Sequence, residues 1–487
     1  MARRGTPPWF VEHELGPIDA IAAGTALRGP VCAVRRAPEH RLIPIETRIV
    51  TVREKVEVGR KHCRISQKAE SDDFFGNWRG SRDSRDSRRR DTRPLRRDYP
   101  VSCGHTMNFD FDESHVLLRK SVREFARAEI APYADGWDSD ERFPTELVPK
   151  LASMGLLGIR IPEEYGGSGM DTQAYALSIE EIARVDGSIA LTVASHNGLG
   201  TGHLLAFGTE AQKRRYLPMA ASGQALAAWA LTEPGSGSDA AALRTTARRD
   251  GTDWILNGSK TFITQGSVCG FCVVLARTNP DVPNRSGITA FIVDRGTLGF
   301  TASKHLRKLG CRASDTAEIV LDEVRVSDGQ RLGDVDHGFA DTMRILDRGR
   351  VSIAAMAIGL GYGALDKAVA YAKARSAFGK PIAAHQAIQW MLADSKTELD
   401  AAALLTYRAA WLSDRGGRYS EAASMAKLLA SESATRACNA AVQVHGGYGY
   451  VREFDVERHL RDVKLCEIGE GTSEIQRMVV AKNLLAR

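Results

Sequence analysis

The sequence predicts a mainly α protein with a β domain in its middle. Three observations carry this. Apolar residues recur at helical spacing from Asp112 to about residue 225. The period shortens to that of strands over 226–330, and the helical period returns over 331–487. Segregated helices, strands and helices argue for an N-terminal helical domain, a small antiparallel β domain and a C-terminal helical bundle. The 487 residues leave room for about three domains at roughly 150 residues each.

Residues 1–106 do not read like the rest. They hold 22 Lys and Arg against 14 Asp and Glu, a balance of +8, so the remainder sits at −2 although the whole chain is +6. Residues 81–100 contain eight Arg and four Asp with Leu95 and Tyr99 as the only sizeable apolar or aromatic side chains besides proline. Such a stretch cannot bury enough surface to offset chain entropy, so a disordered basic extension is expected, with Met107 as the working start. Its acids and its length argue against a transit peptide.

In the first helical part, over 107–225, Leu118, Val122, Phe125, Ala126 and Ile130 can share one face of a helix. In the β part, Trp254–Leu256, Thr261–Thr264, Phe271–Leu275 and Ile288–Val293 read as strands, with Asn257-Gly258 as a hairpin turn between the first two. In the last part, Ile388, Met391, Leu392, Leu399, Ala403, Tyr407 and Trp411 fit one helical face. Residues 421–444 form another helix, and Ser473 with Gln476 fits a capping box that starts a final one.

Composition excludes several classes. Hydrophobic residues at 43% and charged residues at 26% are ordinary for a soluble globular chain. Val351–Leu365 is the nearest approach to a membrane span and is too short, with Gly359, Gly361 and Gly363 inside it. Eight Cys in this length are too few for a disulfide scaffold, which points to a reducing compartment, the cytoplasm or, in a eukaryote, the mitochondrial matrix. The near-neutral folded part gives no sign of nucleic-acid binding. Gly359-Leu-Gly361-Tyr-Gly363-Ala364 matches a dinucleotide fingerprint, but its flanks read as one apolar helix, so close helix packing is the better account. Cys269-Gly-Phe-Cys272 lies in a strand without a second pair, which favours buried thiols over a metal site, and no metal is expected.

Four clusters carry chemistry. Ala228–Ala240 runs from a strand into a loop with Gly235, Ser236, Gly237 and Ser238, whose small residues let backbone N–H groups approach a ligand. Arg375-Ser-Ala-Phe378, followed by His385-Gln386, offers groups for phosphate and amide recognition. Gln443–Tyr450 is Gly-rich and follows a helix. In Ile468-Gly-Glu470-Gly-Thr-Ser473, a carboxylate lies between two glycines ahead of a helix. The helix N-terminus favours its ionised form and burial its neutral form, an opposition suited to a general base.

In this order the four clusters, with ALTEPGSGSD and QVHGGYGYVREFDVERHLRD as the most specific segments, resemble the acyl-CoA dehydrogenase flavoproteins over residues 107–487. The resemblance implies a C-terminal four-helix bundle, a homotetramer, FAD as cofactor, and an acyl-CoA substrate converted to a trans-2-enoyl-CoA. Electrons would pass to an electron-transfer flavoprotein, in fatty-acid or branched-chain amino-acid breakdown. It implies that Trp229, Leu231, Thr232, Gly237, Ser238, Phe262, Ile263 and Thr264 line the flavin. Arg375, Phe378, Gln386, Gln443, Gly446 and Gly447 would hold the adenosine and pyrophosphate of a neighbour's FAD, with Thr472 and Ser473 beside the base. Ser238, Asp347, Arg350 and Gly471 would meet the acyl-CoA, and Glu470 would be the base.

Some relatives carry the base on the helix of the Leu346-Asp-Arg-Gly-Arg350 segment. Here Gly349 occupies that place, which leaves Glu470, as in short- and medium-chain types. Gly469 replaces a common aromatic, which leaves chain length and branching open. The absence of Arg between Val185 and Gly200 counts against a dicarboxylyl substrate. Alternatives on the same scaffold are an acyl-CoA oxidase and a flavin-containing DNA-protective protein that would use the basic extension.

Overall fold

The computed structural model describes residues 110–486 apart from Asn284 and Lys304. The extension expected at 1–106 lies outside the described residues.

Among the described residues, seven α-helices come first: α1 (Glu113–Phe125), α2 (Ala134–Ser139), α3 (Val148–Ser153), α4 (Thr172–Ala183), α5 (Gly187–Ser195), α6 (Thr201–Phe207) and α7 (Glu210–Ala221). Asp112 caps α1 by accepting the His115 N–H at 2.9 Å, which satisfies one donor the helix cannot. The expected face is buried: Val122, Ala126 and Ile130 are in the core, with Leu118 and Phe125 packed against it. It continues through one π-helical turn, Ala126–Ile130.

An eight-stranded sheet follows. Its strands are β1 (Ala227–Ala230), β2 (Thr246–Asp250), β3 (Asp253–Thr264), β4 (Phe271–Arg277), β5 (Ile288–Asp294), β6 (Phe300–Ala302), β7 (Thr316–Ser327) and β8 (Arg331–Leu332). The order is β6-β7-β3-β2-β4-β5-β8, with β1 against β4. The sheet is antiparallel except where β1 and β2 meet β4, which are parallel pairings.

Asn257-Gly258 is not a hairpin turn. Both residues lie inside β3, and the register against β7 slips between Leu256 and Gly258. The turn between β2 and β3 is at Gly251-Thr252, between paired Asp250 and Asp253. At 258 only glycine fits, because a Cβ would meet Thr245 Oγ1 at 2.5 Å and its Cα at 2.7 Å. Asn257 uses its amide on the facing strand, donating to Glu323 Oε1 at 2.6 Å and accepting the Glu323 N–H at 2.9 Å. A bulge thus shows the same sequence pattern as a hairpin loop.

The C-terminal part contains α8 (Gly338–Ala374), the short strands β9 (Ser376–Ala377) and β10 (Lys380–Pro381), α9 (Gln386–Asp414), α10 (Ser420–His445), α11 (Val456–Ile468) and α12 (Ser473–Leu485). The 37-residue α8 is long and apolar enough to cross a membrane by composition, but most of that stretch is buried within the protein. Gly359, Gly361 and Gly363 within it are packing sites. Side chains there would strike Glu180 O and Ala183 on α4, Leu399 on α9, and Arg184 O. On α9 the buried stripe is Ser395, Leu399, Ala402, Thr406, Ala409 and Ala410. Trp411, expected on that face, is 40% exposed with the Arg415 guanidinium 4.1 Å from its ring centroid. Cys269 and Cys272 are free and buried, and burial pushes the Cys269 thiol up to about 12.

Ion pairs and a hydrogen bond tie α11 to both other regions. Arg458 pairs with Asp186, the cap of α5, and with Asp455 at 2.6 Å. Arg461 pairs with Asp138 of α2 at 2.7 Å. Asp462 accepts the Cys311 N–H from the β domain at 2.5 Å. These interactions fix the helix that delivers Glu470.

Candidate active site

Helix α11 ends where the Gly469 N–H bonds Leu465 O at 2.8 Å. The chain then turns through two left-handed residues, Glu470 at φ 54° and Gly471 at φ 93°. Such a φ is uncommon for a residue with a side chain and must be held by its surroundings. The helix α12 is capped by Thr472, whose Oγ1 accepts the Ile475 N–H at 3.4 Å. The expected capping box does not form: the cap lies one residue earlier, at Thr472, and its N3 residue is Ile475, which has no side-chain acceptor to return the bond. Gln476 does not bond Ser473; its Nε2 donates to Gly471 O at 2.8 Å and to Glu470 O at 3.3 Å.

The turn lays the Glu470 carboxyl against α8. A Cβ at Gly349 would overlap Glu470 Oε2, so the absence of a side chain at 349 makes the seat for this acid. Oε2 is buried and has no hydrogen-bond partner among the described residues. Burial pushes the carboxyl up to about 7, against the pull of the Lys427 and Arg350 cations. A carboxyl of this kind can take and release a proton near neutrality.

Asp347 and Arg350 form an ion pair on α8, and Ser420 Oγ donates to Asp347 Oδ1 at 2.8 Å. Burial outweighs Arg350 and raises the Asp347 carboxyl. Arg350 Nε is buried without a partner. On the other side, Trp229 and Leu231 share a core cluster with Ile345 of α8, and Leu346 packs against it, one turn before Gly349.

The loop after β1 is clamped by a buried ion pair. Lys260 Nζ donates to Glu233 Oε1 at 2.7 Å and Leu231 O at 3.1 Å, and Glu233 also accepts the N–H groups of Arg244 and Thr245 at 2.6 and 2.9 Å. The Thr261 N–H bonds Thr232 O at 2.9 Å. Thr232 is half-buried, whereas Gly237 and Ser238 are exposed. Trp229 spends its indole N–H on His203 Nδ1 at 3.0 Å.

In β3 the register slips again between Lys260 and Ile263, and Phe262 turns outward at φ 58° with 69% exposure. Ile263 is packed into the sheet core. Thr264 is half-buried. Ser473 Oγ is buried and unpartnered beside the base turn.

The other expected residues lie elsewhere. Arg375 follows the end of α8, about 39 Å from Gly349 at 1.5 Å rise per residue. It borders a cavity of about 450 Å³ together with Tyr371, His445, Gly446, Gly447 and Tyr448. Its guanidinium lies 5.6 Å from the Tyr448 ring centroid and meets no carboxylate among the described residues. Side chains at Gly446 and Gly447 would meet nothing within 4 Å. Phe378 is 95% exposed, and Gln386 and Gln443 are exposed too. Within one chain, then, the expected cofactor residues form two separate groups.

Sequence reasoning missed Lys427, Lys260, Glu233 and Gln476. Lys427 had a signal. It is a lone cation among Ala422, Ala423, Ala426 and Ala430 on the buried face of α10.

Residues 112–224, 228–324 and 336–485 match the N-terminal, middle and C-terminal domains of acyl-CoA dehydrogenases. The probable acyl-CoA dehydrogenase YngJ of Bacillus subtilis is 47% identical over 379 residues, 78% of this chain and 100% of that protein. The caffeyl-CoA reductase-Etf complex subunit CarC of Acetobacterium woodii is 44% identical over 378 residues, covering 77% of this chain and 100% of the relative. The structure of butyryl-CoA dehydrogenase from Megasphaera elsdenii aligns with a TM-score of 0.76 at 39% identity, covering 78% of this chain and 100% of that one.

Proposed function

The chain belongs to the acyl-CoA dehydrogenase family, FAD-dependent oxidoreductases acting on acyl-CoA. Within that family we propose that it desaturates a short-, medium- or branched-chain acyl-CoA between C2 and C3, with Glu470 as the base. The observation that carries this is the Glu470 carboxyl, seated over Gly349 with its Oε2 buried and without a hydrogen-bond partner among the described residues.

The residues present fit the cofactor. Among the described residues Ser473 Oγ is an orphaned buried hydroxyl beside the base and Arg375 is a cation without a carboxylate at a cavity edge, and the Thr232–Ser238 loop is anchored by the Lys260–Glu233 pair. Thr232, Gly237, Ser238, Thr264, Thr472 and Ser473 would hold the flavin end. Arg375, Phe378, Gln386, Gln443, Gly446 and Gly447 would hold the adenosine and pyrophosphate of FAD in another copy, since about 39 Å separates the two groups in one chain. When bound, FAD supplies the two-electron acceptor for the β-hydride.

The protein's own part is proton transfer. A thioester α-proton is too weakly acidic for a carboxylate in water, but a dry carboxylate is a stronger base. Glu470 accepts that proton at its carboxyl, and its turn, pinned through Gly471 O, keeps the oxygen aimed. Asp347, Arg350, Ser238 and Gly471 orient the acyl-CoA. Gly469 has room beside Leu465, whose nearest atom is 3.4 Å from an added Cβ, so the pocket wall is open where relatives have an aromatic.

An electron-transfer flavoprotein as partner is supported by the Etf-complex relative, and an assembly of more than one copy by the divided cofactor site; the homotetramer is what the family resemblance implies. Fatty-acid or branched-chain amino-acid breakdown is the pathway class this chemistry serves. The test is anaerobic flavin bleaching with straight and branched acyl-CoAs of roughly four to sixteen carbons, since pocket depth sets the preference. Rapid reoxidation of the reduced enzyme by air alone would turn the reading to an oxidase.

A further inference from the structure

The base sits in a turn that is costly to hold, and one side chain outside the sequence motifs holds it. Lys427, in the middle of α10, is fully buried. Its Nζ donates to Gly471 O at 2.7 Å, the carbonyl next to Glu470. That same carbonyl accepts Gln476 Nε2. Two donors therefore converge on the carbonyl of the residue that follows the base, and they keep two consecutive left-handed residues in place.

A buried ammonium is expensive unless a carboxylate accompanies it. Among the described residues Lys427 has no carboxylate at ion-pair distance. The charged and titratable groups around this corner come from four other elements. Arg350 on α8 is taken by Asp347. Tyr175 on α4 donates to Ala194 O at 2.7 Å. On α11, Cys466 is a buried thiol and Glu467 pairs with Lys464 at 2.5 Å. Glu474, on α12, faces solvent. That leaves the Glu470 carboxyl as the anion Lys427 can serve.

Resting on the reading of Glu470 as base, we propose that Lys427 is its positioning residue: it pins the Glu470–Gly471 turn through the Gly471 carbonyl and supplies the positive charge against which the buried carboxyl ionises. Burial draws the lysine down to about 8 and lifts Glu470 to about 7, so the two are charged together only in a narrow interval. The cation pulls the Glu470 midpoint down, so removing it must let the midpoint rise.

The experiment is an infrared titration of the FAD-loaded full chain. It follows the protonated carboxyl stretch that disappears in Glu470→Gln, alongside the acid limb of flavin bleaching by an acyl-CoA. Lys427→Gln keeps a donor for Gly471 O and drops the charge; Lys427→Met drops both; Lys427→Arg keeps both. Both neutral variants are expected to raise the infrared midpoint by about one pH unit, with the acid limb following, while the arginine variant stays within about 0.3 unit of the parent. Neutral variants with the parent midpoint overturn the proposal, whatever their rate. If neither neutral variant folds, Lys427→Arg decides: an unmoved midpoint supports the role and an upward move of about one unit overturns it. A parent protein that never bleaches sinks the dehydrogenase reading, while the infrared midpoints still judge the lysine.

Discussion

The corner around Glu470 and the rim around Arg375 are built in opposite ways. The corner is mostly closed: the Oε2 of its acid, its seat at Gly349 and its cation at Lys427 are buried, and they come from the turn before α12, from α8 and from α10 of one chain. The rim is open. Phe378, Gln386, Gln443, Gly446 and Gly447 are exposed, and Arg375 has no carboxylate among the described residues. The group with the perturbed proton affinity is thus assembled inside one fold, with one carboxyl oxygen shut off from solvent. The groups proposed to recognise a charged, extended ligand lie at the surface.

Glu470→Gln disturbs the closed corner most. The variant is expected to stay yellow with bound FAD and to lose at least about a thousand-fold in the bleaching rate. Retention of substantial activity would place the base elsewhere.

The same substitution tests the cost of the closed corner. The folded acid titrates near 7, above its unfolded value, so between those values the folded state binds more protons. Stability is therefore lost as pH rises through this window, and the penalty is complete above it. Glu470→Gln is expected to be more stable than the parent at pH 8, by up to about 3 kcal/mol, and equal to it at pH 4. Denaturant melts at both pH values measure this, and a gain of the same size at pH 4 would contradict it.

Gly349→Ala attacks the seat. The new methyl must displace the carboxylate, and a misplacement of about 1 Å costs about a hundred-fold in rate. FAD content is expected to be unchanged. Loss of FAD in step with activity would show that 349 supports the cofactor and not the acid.

Arg375→Gln probes the open rim. Removing one charge-assisted hydrogen bond weakens FAD retention by about ten-fold, read by dialysis against FAD-free buffer. The bleaching rate of the FAD-saturated enzyme should stay at the parent value. A large rate loss under saturation would mean that the two regions are not separate.

Much of the fold was legible because it is written locally. Helical period, strand runs and turn residues report on neighbours within a few positions, and the three regions followed from them. Where local signals were ambiguous, the reading failed. Asn257-Gly258 is a bulge because Thr245 presses on the chain there, and a strand before and after it looks the same either way. The strand β7 went unnoticed, although Ala317, Ile319 and Leu321 alternate inward and Val324 and Val326 resume after a left-handed Glu323. Trp411 fits the helical face on paper and lies half out of it in the bundle, because the small residues of α9, Ala402 and Ala409 among them, make the close approach instead.

For the site, the residues alone marked Glu470 as a candidate, since a carboxylate between two glycines before a helix is a local pattern, and resemblance completed the set. Nothing local shows that position 349 must lack a side chain so that an acid 121 positions later has room, or that Lys427 ends on the carbonyl of Gly471. Burial, proton affinity and the spacing between distant groups are properties of atoms brought together through space. The order of elements and the residues able to do chemistry belong to the sequence; which of them share a water-free corner belongs to the packing.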